Sequence, residues 1–391
     1  MERRNEYSFA LPSNIVHGWG AAENIPALAK RYHAKSIFIL STPDIVNLGL
    51  MSGMLDALHA EGLRTVLFDG IREEPPLELP DEAAKAAIEH GCDLVIGFGG
   101  GSVIDTMKAV ALLIKHRSYR TLRDLIAADV QERGVPTIAV PTTAGTGSEV
   151  TKVAIFTDTR ANLKVSLVSS CIVPDVAVVD PRLTVSLPPR LTAYTGIDAL
   201  THAIESYLSR GATPMTDLLA AEAIRLISRH LADCVANNDP KAREAQAFAS
   251  LLAGMAFANA GVGAAHALAY PLGGRYHLTH GLCVGMLMPA VMNVTATADP
   301  ERVGRIAEWM GCDVAGTTAE ERAALAVGAV SALLREVGFP ANLKELGVEE
   351  SSIREMTDQA IAIDRLLKNC IKPMRWDDVK QIYDLTVGAR G

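Results

Sequence analysis

Asp198 and His202 stand four positions apart in Gly196-Ile197-Asp198-Ala199-Leu200-Thr201-His202-Ala203-Ile204-Glu205. The run Ile197, Leu200, Ile204, Tyr207 and Leu208 marks the buried face of a helix, so both polar residues fall on one adjoining stripe and can grip one ion. Further on, His266-Ala267-Leu268-Ala269-Tyr270-Pro271-Leu272-Gly273-Gly274 leads into His277-Leu278-Thr279-His280-Gly281. His266 and His280 are too far apart to share a helical turn, and Gly273-Gly274 is where the chain is expected to fold back so that both imidazoles meet the first pair. One carboxylate and three imidazoles form a mixed nitrogen and oxygen set that suits a borderline divalent transition metal, iron(II) or zinc, and not calcium or magnesium. A helix-surface pair is the plainer account of an isolated Asp-x-x-x-His. Against it, His266 follows Ala258-Asn259-Ala260-Gly261-Val262-Gly263-Ala264-Ala265, a stretch so small and apolar that an imidazole there needs a partner.

A second constellation could hold phosphate. Gly99-Gly100-Gly101-Ser102 follows the apolar run Asp93-Leu94-Val95-Ile96-Gly97-Phe98 and opens a helical pattern over 103–115, which leaves backbone N–H groups free at a helix N-terminus. Glycine triplets also make plain tight turns. This one is not Gly-x-Gly-x-x-Gly, and it follows the third strand of the core, not the first. Pro141-Thr142-Thr143-Ala144-Gly145-Thr146-Gly147-Ser148-Glu149-Val150-Thr151 is the next candidate, since hydroxyls and glycines after a strand can wrap a polar ligand or simply turn the chain.

The elements that must position these residues change character along the chain. Strand-like runs at 36–40, 65–68, 93–98 and 136–141 alternate with helical patterns at 51–62, 81–90 and 103–115. This alternation predicts a Rossmann-like parallel sheet with right-handed crossovers. An opening strand near 15–17, a helix over 21–32, and further strands at 153–158, 164–169 and 176–179 complete the α/β half. After Leu187-Pro188-Pro189, Ala- and Leu-rich helical patterns take over, as at 215–231, 242–260 and 319–336. The expected organisation is an α/β dinucleotide-binding domain over 1–187 and an all-helical metal-binding, catalytic domain over 188–391.

The chain has 391 residues, enough for two cores, with 49% hydrophobic and 21% charged residues, the balance of an ordinary globular protein. A net charge of -8 gives no basic footprint for nucleic acid, and no apolar run reaches a membrane span. The six cysteines have no paired spacing and the N-terminus no apolar signal core, so free thiols in a reducing cytoplasm are expected. Edge strands in the first domain favour a homodimer or higher homo-oligomer.

Gly-Ile-Asp-Ala-Leu-Thr-His-Ala-Ile-Glu, His-Ala-Leu-Ala-Tyr-Pro-Leu-Gly-Gly and the later His-Gly resemble the iron-containing (group III, metal-dependent) alcohol dehydrogenase family, and the resemblance runs over nearly the whole chain. It implies the dehydroquinate synthase-like fold of that family and hydride transfer between NAD(H) or NADP(H) and a primary alcohol/aldehyde or small hydroxy-substituted substrate. Asp198, His202, His266 and His280 would hold Fe2+, Zn2+ or another divalent metal acting as a Lewis acid. Gly99, Gly100, Gly101 and Ser102 would cradle the pyrophosphate, with Asp105 capping or orienting that loop. Thr142, Thr143, Thr146 and Thr151 would lie along the cofactor, Lys164 on the nicotinamide ribose and Leu183 near the adenine. Thr42 aligns with a position where many NAD-preferring members carry an Asp that repels a 2′-phosphate, so NADPH is expected to be accepted alongside NADH. Many members have His-x-x-x-His where this chain has His266 and Tyr270. Where the chain departs from that pattern, His277, three residues before His280, is a candidate for proton transfer to solvent and Tyr270 presents a hydroxyl from the same helix face; a surface His277 and a packed Tyr270 are the plainer readings. Val153, Phe257 and residues near Asn369 and Cys370 would wall the pocket. The rivals are a maleylacetate reductase-like enzyme, a dehydroquinate synthase-like lyase and a non-catalytic metal-binding protein.

Overall fold

The computed structural model describes residues 6–160 and 163–388. Contacts divide the chain into one compact unit of Ala10–Ser186 and another from Leu187 onward; the described residues up to Phe9, expected in the α/β domain over 1–187, group with the second unit.

In the first unit, strands β1 (Asn14–His17), β2 (Ser36–Leu40), β3 (Arg64–Phe68), β4 (Leu94–Gly99), β5 (Thr137–Pro141) and β8 (Val176–Val179) form one sheet in the order β1-β8-β5-β4-β2-β3. All its pairings are parallel. β2, β4, β5 and β8 are buried at every position, as a sheet covered on both faces requires. Side chains alternate between two cores: Phe38 and Leu40 pack with Met107 and Val110 on one face, Ile37 and Ile39 with Ile25 and Leu58 on the other.

From β2 the chain steps outward to β3, then returns past β2 to β4 and goes on to β5. The winding direction therefore reverses between β2 and β4, and the loops leaving their carboxyl ends flank the crevice where open α/β sheets bind ligands. Ser41, at the end of β2, donates its hydroxyl to the Phe98 carbonyl of β4 at 2.8 Å and ties the two loops together at their base.

One expectation is corrected here. The helix expected over 21–32 is a 3-10 turn, Ala21–Asn24, followed by an α-helix, Ile25–Arg31, with Pro26 in its first turn. The strands expected near 153–158 and 164–169 are present as β6 (Val153–Asp158) and β7 (Leu163–Val168), paired with each other as an antiparallel ribbon.

In the second unit helices dominate. Four of them, Pro189–Tyr207, Pro214–Asn237, Pro240–Ala260 and Pro300–Trp309, begin on proline, which loses nothing where no intrahelical donor is needed. Thr213, Asp239 and Asp299 cap three of these with side-chain oxygens. Among the described residues, no single helix is long and apolar enough to cross a membrane.

Candidate active site

Helix Pro189–Tyr207 is buried on nearly every side, so Asp198 and His202 have no solvent to face and are 3% and 5% exposed. Asp198 Oδ1 lies 3.9 Å from His202 Nε2, 3.9 Å from His266 Nε2 and 3.7 Å from His280 Nε2. Ligand atoms bound at about 2.1 Å to one ion sit roughly 3.4 Å apart in a tetrahedron, so the separations from Asp198 suit a shared cation. Among the described residues the set whose ligand atoms all lie within 4.8 Å of one another is Asp198, His202 and His266, with His280 meeting it at Asp198. Asp198 Oδ1 and His266 Nε2 are both buried and, among the described residues, find no hydrogen-bond partner. Two such orphans facing one volume are what a metal site leaves when described without its ion. Burial pushes the Asp198 carboxyl above its usual range, against the pull of His280 and His266. By chemistry and by geometry the residues fit a divalent metal.

The rings are held by stacking. His202 lies 4.2 Å from Phe257 at an interplanar angle of 16° and 4.7 Å from His266 at 25°. His266 is 5% exposed, whereas the His280 side chain is 42% exposed, so the cluster opens to solvent on the His280 side.

The fold-back between these histidines is not where the glycines suggest. Gly273 and Gly274 lie inside helix Ala264–Tyr276, and the chain reverses after it at His277, which takes the left-handed conformation at φ 53°. Leu278 and Thr279 follow, and His280 is the first residue of helix His280–Ala296. His266 thus sits in the first turn of one helix and His280 opens the next. Tyr270 is half-buried one turn beyond His266, and His277 is exposed.

Sequence reasoning missed Glu205. Its carboxylate, 4% exposed, accepts hydrogen bonds from Gly263 N–H (2.9 Å), Ala265 N–H (2.6 Å) and the His266 ring at Nδ1 (2.6 Å). The signal was present in the motif, since Glu205 follows His202 by three residues and falls on the same buried helix. Asn369, expected near the pocket wall, spends its amide on the carbonyls of Ala260 and Val262, both at 3.0 Å.

In the first unit the glycine loop is shaped as a cradle. A Cβ on Gly99 would lie 2.5 Å from Val103 Cγ2 and one on Gly101 2.9 Å from Thr146 Cγ2, while Gly100 has only Thr143 nearby at 3.5 Å. Helix Gly101–Lys115 has Gly100 as its N-cap with no side chain capping it, which leaves its N-terminus to an outside anion. Ser102 stands half-buried in the first turn.

Asp105 lies one turn further in and does not cap the glycine loop. It accepts from Ser148 Oγ at 2.5 Å and from Ile155 N–H at 2.8 Å, and so orients the threonine-rich segment. Lys108, fully buried, donates to Ser148 Oγ (2.8 Å), Thr151 Oγ1 (2.9 Å) and the Val153 carbonyl (2.6 Å). Burial lowers the Lys108 ammonium below its usual range, with Asp105 and Glu149 opposing. The Thr151 hydroxyl is therefore turned toward this lysine. Thr142 donates its N–H to the Gly99 carbonyl at 3.1 Å, and Thr146 Oγ1 accepts from Ser148 N–H at 3.3 Å. Thr42 caps helix Pro43–Asn47, Lys164 bonds Thr157 at 2.9 Å and pairs with Glu74 at 3.1 Å, and Leu183 is buried in the sheet core.

Each half of the chain has known counterparts. The sequence model of the iron-containing alcohol dehydrogenases matches residues 12–181, and that of the Fe-containing alcohol dehydrogenase family, C-terminal, matches residues 192–387. The chain is 40% identical to long-chain-alcohol dehydrogenase 1 of Geobacillus thermodenitrificans over 94% of its own length and 93% of that protein. It is 39% identical to 1,3-propanediol dehydrogenase of Citrobacter freundii over 91% and 92% of the two chains. A crystal structure of 1,3-propanediol oxidoreductase superposes with a TM-score of 0.94 at 32% identity, covering 98% of this chain and all (100%) of the other. With the divalent-metal geometry and the two glycine- and threonine-rich loops in place, these matches show that the chain belongs to the iron-containing alcohol dehydrogenase family and is an NAD(P)-dependent oxidoreductase of alcohols and aldehydes.

Proposed function

We propose that the chain reduces small aldehydes and oxidises the matching primary alcohols at a metal held by Asp198, His202, His266 and His280, with iron(II) as the first candidate. The observation that carries this is the convergence of three imidazole Nε2 atoms on Asp198 Oδ1 within 3.9 Å. A metal held there would supply Lewis acidity toward the substrate oxygen, and a bound nicotinamide would supply the hydride chemistry.

The rest is done by the chain. Gly99, Gly100, Gly101 and Ser102 present backbone N–H groups to the pyrophosphate, and Thr142, Thr143 and Thr146 border the same crevice. Asp105 orients this loop through Ser148 and Ile155, and Thr151 is held to it through Lys108. Phe257, stacked on His202, supplies an apolar wall. Lys164 and Leu183 are assigned to the nicotinamide ribose and the adenine end. Thr42 puts no carboxylate at the end of β2, which supports use of both NADPH and NADH. His277, exposed beside the open flank of the cluster in sequence, is assigned the exchange of the proton with solvent, and Tyr270 substrate contact.

One set of assays tests the reading. Iron- and zinc-loaded enzyme should reduce short aldehydes with either reduced cofactor, and Asp198→Ala should lose bound metal and at least about a thousandfold in turnover, some 4 kcal/mol. In the same assay His277→Ala should lower turnover and flatten the pH profile near neutrality. Full activity in a chelated, metal-free preparation would refute the ligand assignment; a preference above about a thousandfold for NADH would refute the Thr42 argument.

A further inference from the structure

His266 is aimed from behind. Its Nδ1 faces Glu205 Oε2 at 2.6 Å, and the same carboxylate takes the N–H groups of Gly263 and Ala265 at 2.9 and 2.6 Å. An ionised carboxylate only accepts hydrogen bonds, so Nδ1 must carry the proton. A neutral imidazole has one N–H, which leaves Nε2 with its lone pair bare. Among the described residues Nε2 is buried without a hydrogen-bond partner, 3.9 Å from Asp198 Oδ1.

The backbone behind Glu205 has little room to shift. Asn369 grips the carbonyls on both sides of Gly261, and Ser209 Oγ donates to the Ala260 carbonyl at 2.6 Å. Gly261 has φ +80°, and a Cβ there would meet Asn369 Nδ2 at 2.6 Å; one on Gly263 would meet Cys370 Sγ at 3.0 Å. Residues 260–265 are thus clamped from outside, and Glu205 joins that clamp to the imbedded ring. Helix Pro189–Tyr207 carries Asp198, His202 and Glu205 together, so a single helix provides two ligand candidates and the group that aims a third.

We propose that Glu205 is a positioning residue that fixes His266 in its Nδ1-protonated tautomer and thereby sets the affinity of the site for a divalent metal. The inference rests on the ligand assignment above. Carboxylates behind ligating histidines typically govern metal affinity by about 10- to 100-fold.

The test uses the full chain, stripped of metal with a chelator and titrated with Zn2+ against a chromophoric competitor, then with Co2+ to record its visible absorption. Glu205→Gln keeps the size of the side chain but offers one acceptor oxygen in place of two. It should bind Zn2+ about 10- to 100-fold more weakly and shift the Co2+ bands, with far-ultraviolet circular dichroism unchanged. Zn2+ binding within about threefold of wild type, roughly half of the tenfold step in free energy, together with an unchanged Co2+ spectrum, overturns the proposal. A wild-type chain that takes up neither ion overturns the ligand assignment as well, whereas equal binding by both proteins removes only the role of Glu205. Should the variant fail to fold, the metal-free wild type labelled with 15N-histidine decides: the neutral His266 ring should keep its proton on Nδ1 with no ion at Nε2, and a proton on Nε2 with a bare Nδ1 overturns the proposal.

Discussion

Glu149 is 3% exposed, and burial pushes its carboxyl up to about 7, with its backbone N–H and the Lys108 charge pulling it down. An unfolded glutamate titrates near 4.5. The folded state therefore holds this proton more tightly, so its stabilising contribution is fully present below about 4.5 and lost as pH rises through about 7. The shift corresponds to roughly 3 kcal/mol at most. Glu149→Gln is neutral at every pH and leaves Lys108 in place, so it should remove this part of the pH dependence. Urea midpoints of both proteins at about pH 5 and about pH 8 read it directly; the same drop in both would mean that Glu149 does not titrate in this window. At this scale the sequence was most legible where spacing is local. Asp198 and His202 could be paired from their four-residue separation, and the apolar context of His266 called for a partner. Lys108, Glu149 and Glu205 were not found, because a charged residue at helical spacing reads as a solvated face until the packing around it is known.

The elements carry the next lesson through the segment from Thr142 to Thr151. Its glycines and hydroxyls could be read as a loop after a strand, but what fixes the loop comes from helix Gly101–Lys115, through Asp105 to Ser148 and Ile155 and through Lys108 to Ser148, Thr151 and Val153. Lys108→Met should leave those oxygens without their donor and Asp105 with its bonds to Ser148 and Ile155 but without the positive charge beside it. Breaking a buried charged contact typically costs about 3 kcal/mol or more, so the thermal midpoint should fall. Because the loop borders the crevice, the dissociation constant for NADH should rise by about tenfold or more, some 1.4 kcal/mol, with a smaller change in turnover at saturation. NADH fluorescence titration checks this; a lowered midpoint with unchanged NADH affinity would make Lys108 a residue of stability alone. Strands and helices themselves were legible because burial on both faces produces unbroken apolar runs. The pairing of β6 with β7 was not, since an antiparallel ribbon and an added sheet strand share the same local pattern. The reversal at His277 was hidden for a related reason: Gly273-Gly274 offers conformational freedom that the helix does not use, and a histidine takes the left-handed turn in its place.

At the scale of the whole chain, the change from alternating strands and helices to helices alone was visible in composition and period, and the compact units meet in sequence between Ser186 and Leu187. The two units should answer differently to metal. The proposed ligands come from three helices, Pro189–Tyr207, Ala264–Tyr276 and His280–Ala296, so one ion joins segments otherwise linked through packing and the short turn at His277–Thr279. Binding to the folded state alone stabilises it by about 4 kcal/mol when free metal is a thousand times its dissociation constant. None of these ligands belongs to the sheet of β1, β2, β3, β4, β5 and β8. Stripping the metal should therefore speed amide hydrogen exchange in peptides covering 189–296 and leave exchange in 94–115 and 137–141 within error. Mass spectrometry of deuterium uptake, with and without added Zn2+, measures both regions in one sample. Uniform acceleration across both units would mean that the metal stabilises the chain as one cooperative block, and no change in 189–296 would argue against the four ligands altogether.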